Sequence, residues 1–169
     1  MDYTLILLRL LHIVAAFTWV GVGASIAFFI IPSVQAAGEN GVWYLNTLLK
    51  HTAITKVFRI SAGLTMLAGI LLYALSDVRN HFSNTGNAVL GFGALAGILA
   101  GIYMGAFTGR AMQTLEANLS EKMPSGNPAM RGDDLRVLRE QTAKVVAHAR
   151  VSVVLTIIAL VGMASARYL

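Results

Sequence analysis

Long apolar stretches alternate with polar ones along this chain. Four of them hold almost no charge over the roughly 20 residues that a helix needs to cross a bilayer. The chain is 56% hydrophobic and only 12% charged, which leaves too little polar surface to cover a soluble domain. The pattern therefore predicts four membrane-spanning helices, at about residues 5–31, 56–76, 88–110 and 148–167.

The polar segment between the third and fourth spans carries its own helical pattern. Apolar residues recur at helical spacing on both sides of a break between Pro124 and Pro128. Asp133 or Asp134 can cap the second of these helices. The two apolar faces consist of Met112, Leu115, Leu119 and Met123, and of Leu135, Leu138, Thr142, Val145 and Ala149. We therefore expect a helical hairpin at about residues 111–147.

The segment after the first span is apolar enough to lie at the membrane surface. Between Gly41 and Lys50 it contains Trp43 and Tyr44, residues that favour the headgroup region. It is predicted to be a helix at the headgroups or an early start of the second span. The whole chain is thus expected to form a single all-α domain over residues 1–169, an integral membrane four-helix bundle with a hairpin between helices 3 and 4.

Positive charges are unevenly distributed among the polar segments. The chain has 13 Lys and Arg against 8 Asp and Glu, a formal net charge of +5. Most of the cations flank the first and third loops: Lys50, Lys56, Arg59, Arg110, Lys122, Arg131, Arg136, Arg139, Lys144 and Arg150. Because such loops stay in the cytoplasm, we expect a multi-pass protein of the bacterial inner membrane, with a cytoplasmic hairpin and both termini outside. No nucleic-acid partner is expected.

Several kinds of chemistry require residues that the sequence lacks. The chain has no cysteine, which excludes iron–sulfur clusters, thiolate metal sites and the thioether linkage of c-type haem. The predicted spans contain no acidic residue, and the sequence has no Ser-His-Asp, HExxH or phosphate-loop pattern. Hydrolysis and a carboxylate proton relay are therefore not expected.

Glycine recurs at every fourth residue of the third span. The five positions are Gly93, Gly97, Gly101, Gly105 and Gly109. This spacing leaves a groove without side chains, which favours the close approach of another helix, within the bundle or in a homo-oligomer. A flat macrocycle or a quinone lying in the groove is the alternative.

One ionisable ring lies inside the first span. His12 is costly to place in hydrocarbon unless it pairs or binds something, and such a residue is a candidate functional site. Arg9, one turn earlier, and Trp19, two turns later, project from nearly the same face. Arg9 could hold a propionate or a quinone oxygen, or extend outward to the interface. Trp19 could stack on a cofactor or pack in the core.

The other histidines lie near the ends of the predicted spans. A bis-histidine haem needs ligands on opposite faces of one iron, and the predicted topology allows His51 with His148, or His12 with His81. His12 and His148 are expected to differ in depth by on the order of 20 Å, from a rise of 1.5 Å per residue. For each of the three, an interfacial side chain without a ligand is the alternative.

Three methionines provide a competing use for His12. Met66, Met104 and Met163, one in each of the last three spans, have soft thioethers that could pass Cu(I). Methionine is also an ordinary filler of core gaps. A copper permease is therefore a further alternative.

The run from Leu10 to Gly21, LLHIVAAFTWVG, resembles the first helix of a broad group of small bacterial membrane proteins. That group includes the CopD-type copper-resistance domain and the HemJ-type protoporphyrinogen oxidase, and the resemblance covers this helix and the four-helix layout. It implies that His12 binds the iron of b-type haem, as the matching histidine is thought to do in HemJ-like families. The segment after it keeps only Pro32 of the pattern in those oxidases, so the resemblance does not extend to their reaction.

These observations predict a membrane protein that binds haem b through His12, with His51, His81 or His148 as the second ligand. Such a protein would pass electrons between a donor at the redox level of quinones and a partner. Whether it is itself a membrane oxidoreductase is left open. The main alternative is an accessory subunit without a cofactor, docked on a larger membrane complex through the glycine groove and the hairpin. The copper permease is third.

Overall fold

The chain is all-α. A computed structural model describes residues 3–75, 84–123 and 132–169, and over these ranges it contains helix and no strand. The helices are α1 (Tyr3–Ala36), α2 (Gly38–His51), α3 (Ile54–Leu75), α4 (Thr85–Lys122) and α5 (Gly132–Tyr168), the last ending in a 3₁₀ turn. Each predicted span falls on one of α1, α3, α4 and α5. Helices α1, α4 and α5 extend well beyond the predicted limits because amphipathic turns continue the apolar ones, whereas α3 nearly coincides with its predicted span.

The outer surface is that of a multi-pass membrane protein. Helices α1, α3, α4 and α5 are long and apolar enough to cross a membrane. Large apolar side chains point away from the protein on several of them: Phe17 is 79% exposed, Phe29 71% and Phe92 69%. A water-soluble protein rarely exposes such continuous apolar surface. These side chains therefore face lipid.

The long helices pack as two close pairs, α1 with α3 and α4 with α5. In the second pair the backbones nearly touch. A Cβ atom added at Gly93 would lie 2.9 Å from the Met163 amide nitrogen, and one added at Gly162 would lie 3.0 Å from the Gly93 Cα. Small residues allow this approach, and dispersion contacts then stabilise the pair in lipid.

Two glycines form the corner between α1 and α2. Gly38 has φ +61°, a left-handed conformation that other residues adopt at a cost of about 1–2 kcal/mol. A Cβ atom at Gly41 would lie 2.1 Å from the carbonyl oxygen of Val34. The chain can therefore reverse tightly and lay α2 back on the end of α1.

The ends of α1, α4 and α5 pack with α2 into a compact region at one end of the molecule, here called the cap (residues 31–51, 109–123 and 132–146). Its buried side chains are Ile31, Val34, Val42, Leu45, Leu115, Leu119, Met123, Leu138, Val145 and Val146. Lys50 donates a hydrogen bond of 3.0 Å to the Met123 carbonyl, and Lys122 pairs with Asp134. The cap therefore includes α2 in addition to the two helices of the predicted hairpin.

The cap contains residues that the apolar pattern had assigned to helix faces. Leu138, Thr142 and Val145 are buried along α5, and Leu115 and Leu119 along α4; Ala149, on the same face of α5, is buried just beyond the cap. Helix α2 is separate from α3 because Thr52 between them is extended, so it is not an early start of the second span. Pro124 and Pro128, predicted to break the hairpin, lie outside the described residues.

Candidate functional site

A cavity of about 340 Å³ lies where the membrane-spanning helices meet the cap. All five helices contribute to its wall, which is mainly apolar. Representative wall residues are Trp19 and Ile30 of α1, Leu49 of α2, Phe58 of α3, Met104 of α4 and Val153 of α5. Small-molecule sites in proteins occupy roughly 300–1,000 Å³ and are mostly apolar with a few polar groups. The size and lining of this cavity match that description.

Two π-helical turns border the cavity. In α1 the turn spans Ile26–Ile30, and the amide of Ile31 donates to the carbonyl of Ile26. In α4 it spans Met104–Thr108, and the amide of Gly109 donates to the carbonyl of Met104. Single π turns inside α-helices are frequent at functional sites. Here they occur on two different helices that line one cavity.

The polar side chains of the wall are concentrated at the cap end. Thr55, Arg59 and Gln113 lie there. Arg59 pairs with Glu116 at 3.5 Å between Nη2 and Oε2, and the Thr55 hydroxyl donates to Glu116 Oε1 at 3.5 Å. Because Arg59 is 58% exposed, the ion pair contributes about 0–1 kcal/mol. It positions the guanidinium more than it stabilises the fold.

The α3 and α4 side of the cavity wall contains exposed glycines between two contacts of these helices. Met66 of α3 lies against Gly101 of α4, and Arg59 of α3 pairs with Glu116 of α4. Between those points, Gly63 and Gly105 line the cavity and are exposed, with no atom within 4 Å of an added Cβ at either position. We call this exposed stretch of the wall the slot; from Arg59 to Met66 it extends for roughly 10 Å, at a rise of 1.5 Å per residue.

The glycine groove of α4 therefore has two different environments. Gly93 and Gly97 face α5, and Gly101 faces Met66 of α3. Gly105 and Gly109 line the cavity together with Gly101. The first part of the groove, at Gly93 and Gly97, packs against α5, whereas the part at Gly105 and Gly109 borders the cavity.

Trp19 lies at the wall of the cavity. It is 3% exposed, and its indole Nε1 donates a 3.0 Å hydrogen bond to the Met104 sulfur. The Phe58 ring packs beside it against Gly23, where an added Cβ would lie 3.2 Å from the ring. Trp19 is thus both a core residue and a potential stacking surface for a ligand.

His12 lies outside the cavity wall, in the contact between α1 and α3. Its Nδ1 is 2.9 Å from the Thr65 carbonyl oxygen, and its ring occupies the space where a Gly69 side chain would be. Because a carbonyl oxygen only accepts, Nδ1 carries the hydrogen, and Nε2 of the neutral ring has the lone pair. Ligating histidines are typically oriented in this way. This orientation of His12 is the one that holding a haem iron through Nε2 would require. Arg9, one turn earlier in α1, is exposed.

The described histidines have separate surroundings. His148 shares a 3.0 Å hydrogen bond with the Tyr103 hydroxyl and stacks on Phe107, with centroids 5.8 Å apart. His51 is exposed at the end of α2. His81 lies outside the described residues. Over the described ranges, no three His, Asp or Glu side chains are grouped so that they could hold a metal ion.

The methionines named for copper do not share one location. Met66 and Met104 line the cavity, where Met104 also accepts the Trp19 hydrogen bond. Met163 packs against Gly97, one turn before Gly101, and is not part of the cavity wall. Met112, which the sequence analysis placed on a hairpin face, lines the cavity as well.

Known proteins provide no template for this site. Comparisons with protein-family models, curated proteins and solved structures found no match. The residues that form the cavity must therefore be interpreted from their own geometry. Arg59 and Gln113 were not singled out from the sequence, because nothing in the local pattern shows that two helices separate beside them.

Proposed function

We propose that this is a four-helix membrane protein that binds a lipid-soluble small molecule in the cavity, which the ligand enters from the bilayer through the slot. The observation that carries the proposal is an apolar cavity whose wall includes two exposed glycines, Gly63 on α3 and Gly105 on α4. A ligand dissolved in lipid reaches such an opening without crossing water. The two π turns beside the cavity support the same conclusion.

The physics of the bilayer explains why polar groups are needed at one end of the site. Transfer from lipid to an apolar cavity gains little from the hydrophobic effect, since both surroundings are apolar. Affinity must come from close packing and from hydrogen bonds that lipid tails cannot make. Arg59 and Gln113 supply the hydrogen-bond donors, and the aromatic and thioether side chains supply the close packing.

The same proposal assigns an orientation. The cap contains most of the cations of the polar segments, so the positive-inside rule places it in the cytoplasm, with the termini outside, in a bacterial inner membrane. The slot then opens into the cytoplasmic leaflet. A reporter enzyme that works only outside the cytoplasm should be active when it is fused at Leu169. Activity there of a reporter that works only in the cytoplasm would reverse the assigned orientation.

The binding proposal is tested by identifying small molecules that remain on the protein through purification in mild detergent. Mass spectrometry of the intact protein and of its organic extract should detect a bound lipid-soluble compound. Gly105→Leu fills the slot and should remove it. Gly21→Leu is the matched control, since Gly21 is also exposed, has no atom within 4 Å of an added Cβ and lies outside this cavity. Equal occupancy in both variants would contradict the proposal.

Haem binding by His12 is the second candidate, favoured by the hydrogen bond from Nδ1 to Thr65. His12 would hold the iron through Nε2, and haem would supply one-electron transfer. Thr65 would fix the tautomer and the plane of the ring, and Gly69 would make room for it.

A reduced-minus-oxidised visible spectrum tests this candidate in protein produced with ample haem. A Soret and an α band are expected, with loss of both in His12→Ala and retention in His51→Ala, which alters an exposed histidine. A colourless protein, or bands that survive in His12→Ala, would leave His12 as a contact between α1 and α3.

A further inference from the structure

The polar end of the cavity is electrically balanced. Arg59 contributes one positive charge, and its partner Glu116 contributes one negative charge. On the neighbouring turns of the same helices, Lys56 and Arg110 are exposed and are not part of the wall. A ligand head at this end therefore meets a guanidinium whose charge is already compensated.

This end can donate hydrogen bonds without losing its ion pair. The guanidinium of Arg59 has five N–H groups, and only its Nη2 is placed 3.5 Å from Glu116 Oε2. Gln113 adds a side-chain amide at the slot. A neutral carbonyl oxygen can accept from these groups while Arg59 and Glu116 stay paired.

An anionic head would meet a different situation. A carboxylate or phosphate bound to Arg59 would lie within a few ångströms of the Glu116 carboxylate. At short distance and in surroundings less polar than water, two like charges repel each other strongly. Placing an unfavourable charge beside the binding group is a general means of rejecting the wrong ligand. Glu116 would therefore disfavour the anionic heads of fatty acids and phospholipids.

The rest of the wall suits a flat, polarisable ring. Trp19 and Phe58 present aromatic surfaces, and Met66, Met104 and Met112 present thioethers. Aromatic rings stack favourably, and thioether sulfur makes favourable contacts with ring edges. An aliphatic chain would gain nothing specific from these groups compared with lipid.

We propose that the ligand is a neutral ring with carbonyl groups and an apolar tail, of the quinone class. Its carbonyl oxygen accepts from Arg59, its ring lies among the aromatic and thioether side chains, and its tail leaves through the slot into lipid. This inference rests on the proposed function and adds the ligand class. It assigns Arg59 to recognition and Glu116 to selectivity.

Trp19 is the natural reporter for a test in nanodiscs. In a Trp43→Phe background it is the only tryptophan, because the chain has two, and Trp43 is exposed outside the cavity. The probes are a short-chain ubiquinone and a brominated fatty acid, both of which quench indole emission on contact. The quinone is expected to quench Trp19 emission saturably. The fatty acid is expected to give only the unsaturable quenching that is typical of contact with lipid.

Variants at the polar end separate recognition from folding. Arg59→Gln should weaken quinone binding about tenfold, since it removes a hydrogen bond to a charged group. Lys56→Gln removes the same charge from an exposed position one turn away and should leave the affinity unchanged. Glu116→Gln should admit the brominated fatty acid, a gain of binding that an unfolded variant cannot show.

The outcomes are distinguishable. Saturable quenching by the fatty acid in the unaltered protein, or equal losses in Arg59→Gln and Lys56→Gln, would overturn the ligand class and leave cavity binding in place. Absence of saturable quenching by both probes would overturn the proposed function, and this inference with it.

Discussion

The glycine groove of α4 predicts a sharp difference between two neighbouring substitutions. At Gly93 an added Cβ would lie 2.9–3.2 Å from three backbone atoms of α5, at Ala159, Gly162 and Met163. At Gly97, one turn along, it would lie 3.6 Å from the Ala159 Cβ and the Met163 methyl group, an ordinary contact distance. The two sites have the same residue, the same helix and the same partner helix.

The magnitudes follow from these distances. Either change to Ala gains about 1 kcal/mol of helix propensity. At Gly93 this is opposed by overpacking of about 1–3 kcal/mol, toward the upper end because backbone atoms cannot rotate away. The net expectation is a loss of about 1–2 kcal/mol for Gly93→Ala and a gain of about 1 kcal/mol for Gly97→Ala.

Equilibrium unfolding in mixed micelles, followed by circular dichroism, measures this difference directly. The two variants should differ by about 2–3 kcal/mol in free energy of unfolding, with the unaltered protein between them. Gly105→Ala, whose added Cβ meets no atom within 4 Å, provides the propensity gain alone. Equal effects of Gly93→Ala and Gly97→Ala would refute the close approach of α4 and α5.

The cap gives two further predictions. Gly41→Ala places a Cβ 2.1 Å from the Val34 carbonyl oxygen. It should lower the free energy of unfolding by about 3 kcal/mol or more in the same unfolding experiment. A change below about 1 kcal/mol would contradict the tight corner between α1 and α2. Leu115→Ala removes a fully buried side chain and should cost about 2–5 kcal/mol, whereas Leu95→Ala, at a position 53% exposed to lipid, should change the unfolding free energy little. Similar losses for both leucines would contradict the packing of the cap.

The helices could be predicted from the sequence because their causes are local. Apolar length determines a span, and the spacing of Leu115, Leu119, Leu138 and Val145 identified faces that are buried. The docking of α2 was not predicted, because it depends on Gly38 and Gly41 among sixteen glycines of similar appearance. Only the folded backbone shows which of them turn the chain.

The candidate site depends on relations between distant segments. The spacing of the five glycines is uniform, yet their partners change along α4 because the neighbouring helices diverge from it. His12 was identified from its position in an apolar run. Its hydrogen bond with the carbonyl of Thr65, 53 residues away, could not be predicted from the sequence. The cavity has the same origin, because its wall is assembled from residues of all five helices, which no local pattern encodes.

Access to the cavity from lipid is the central claim, and Trp19 emission tests it most directly. In the Trp43→Phe background, a small brominated hydrocarbon added to nanodiscs should quench Trp19 saturably, although that side chain is 3% exposed. Gly105→Leu should abolish the saturable quenching, and Gly21→Leu should preserve it. If Trp19 is not quenched, or if quenching is the same in both variants, no open slot connects the cavity with the bilayer.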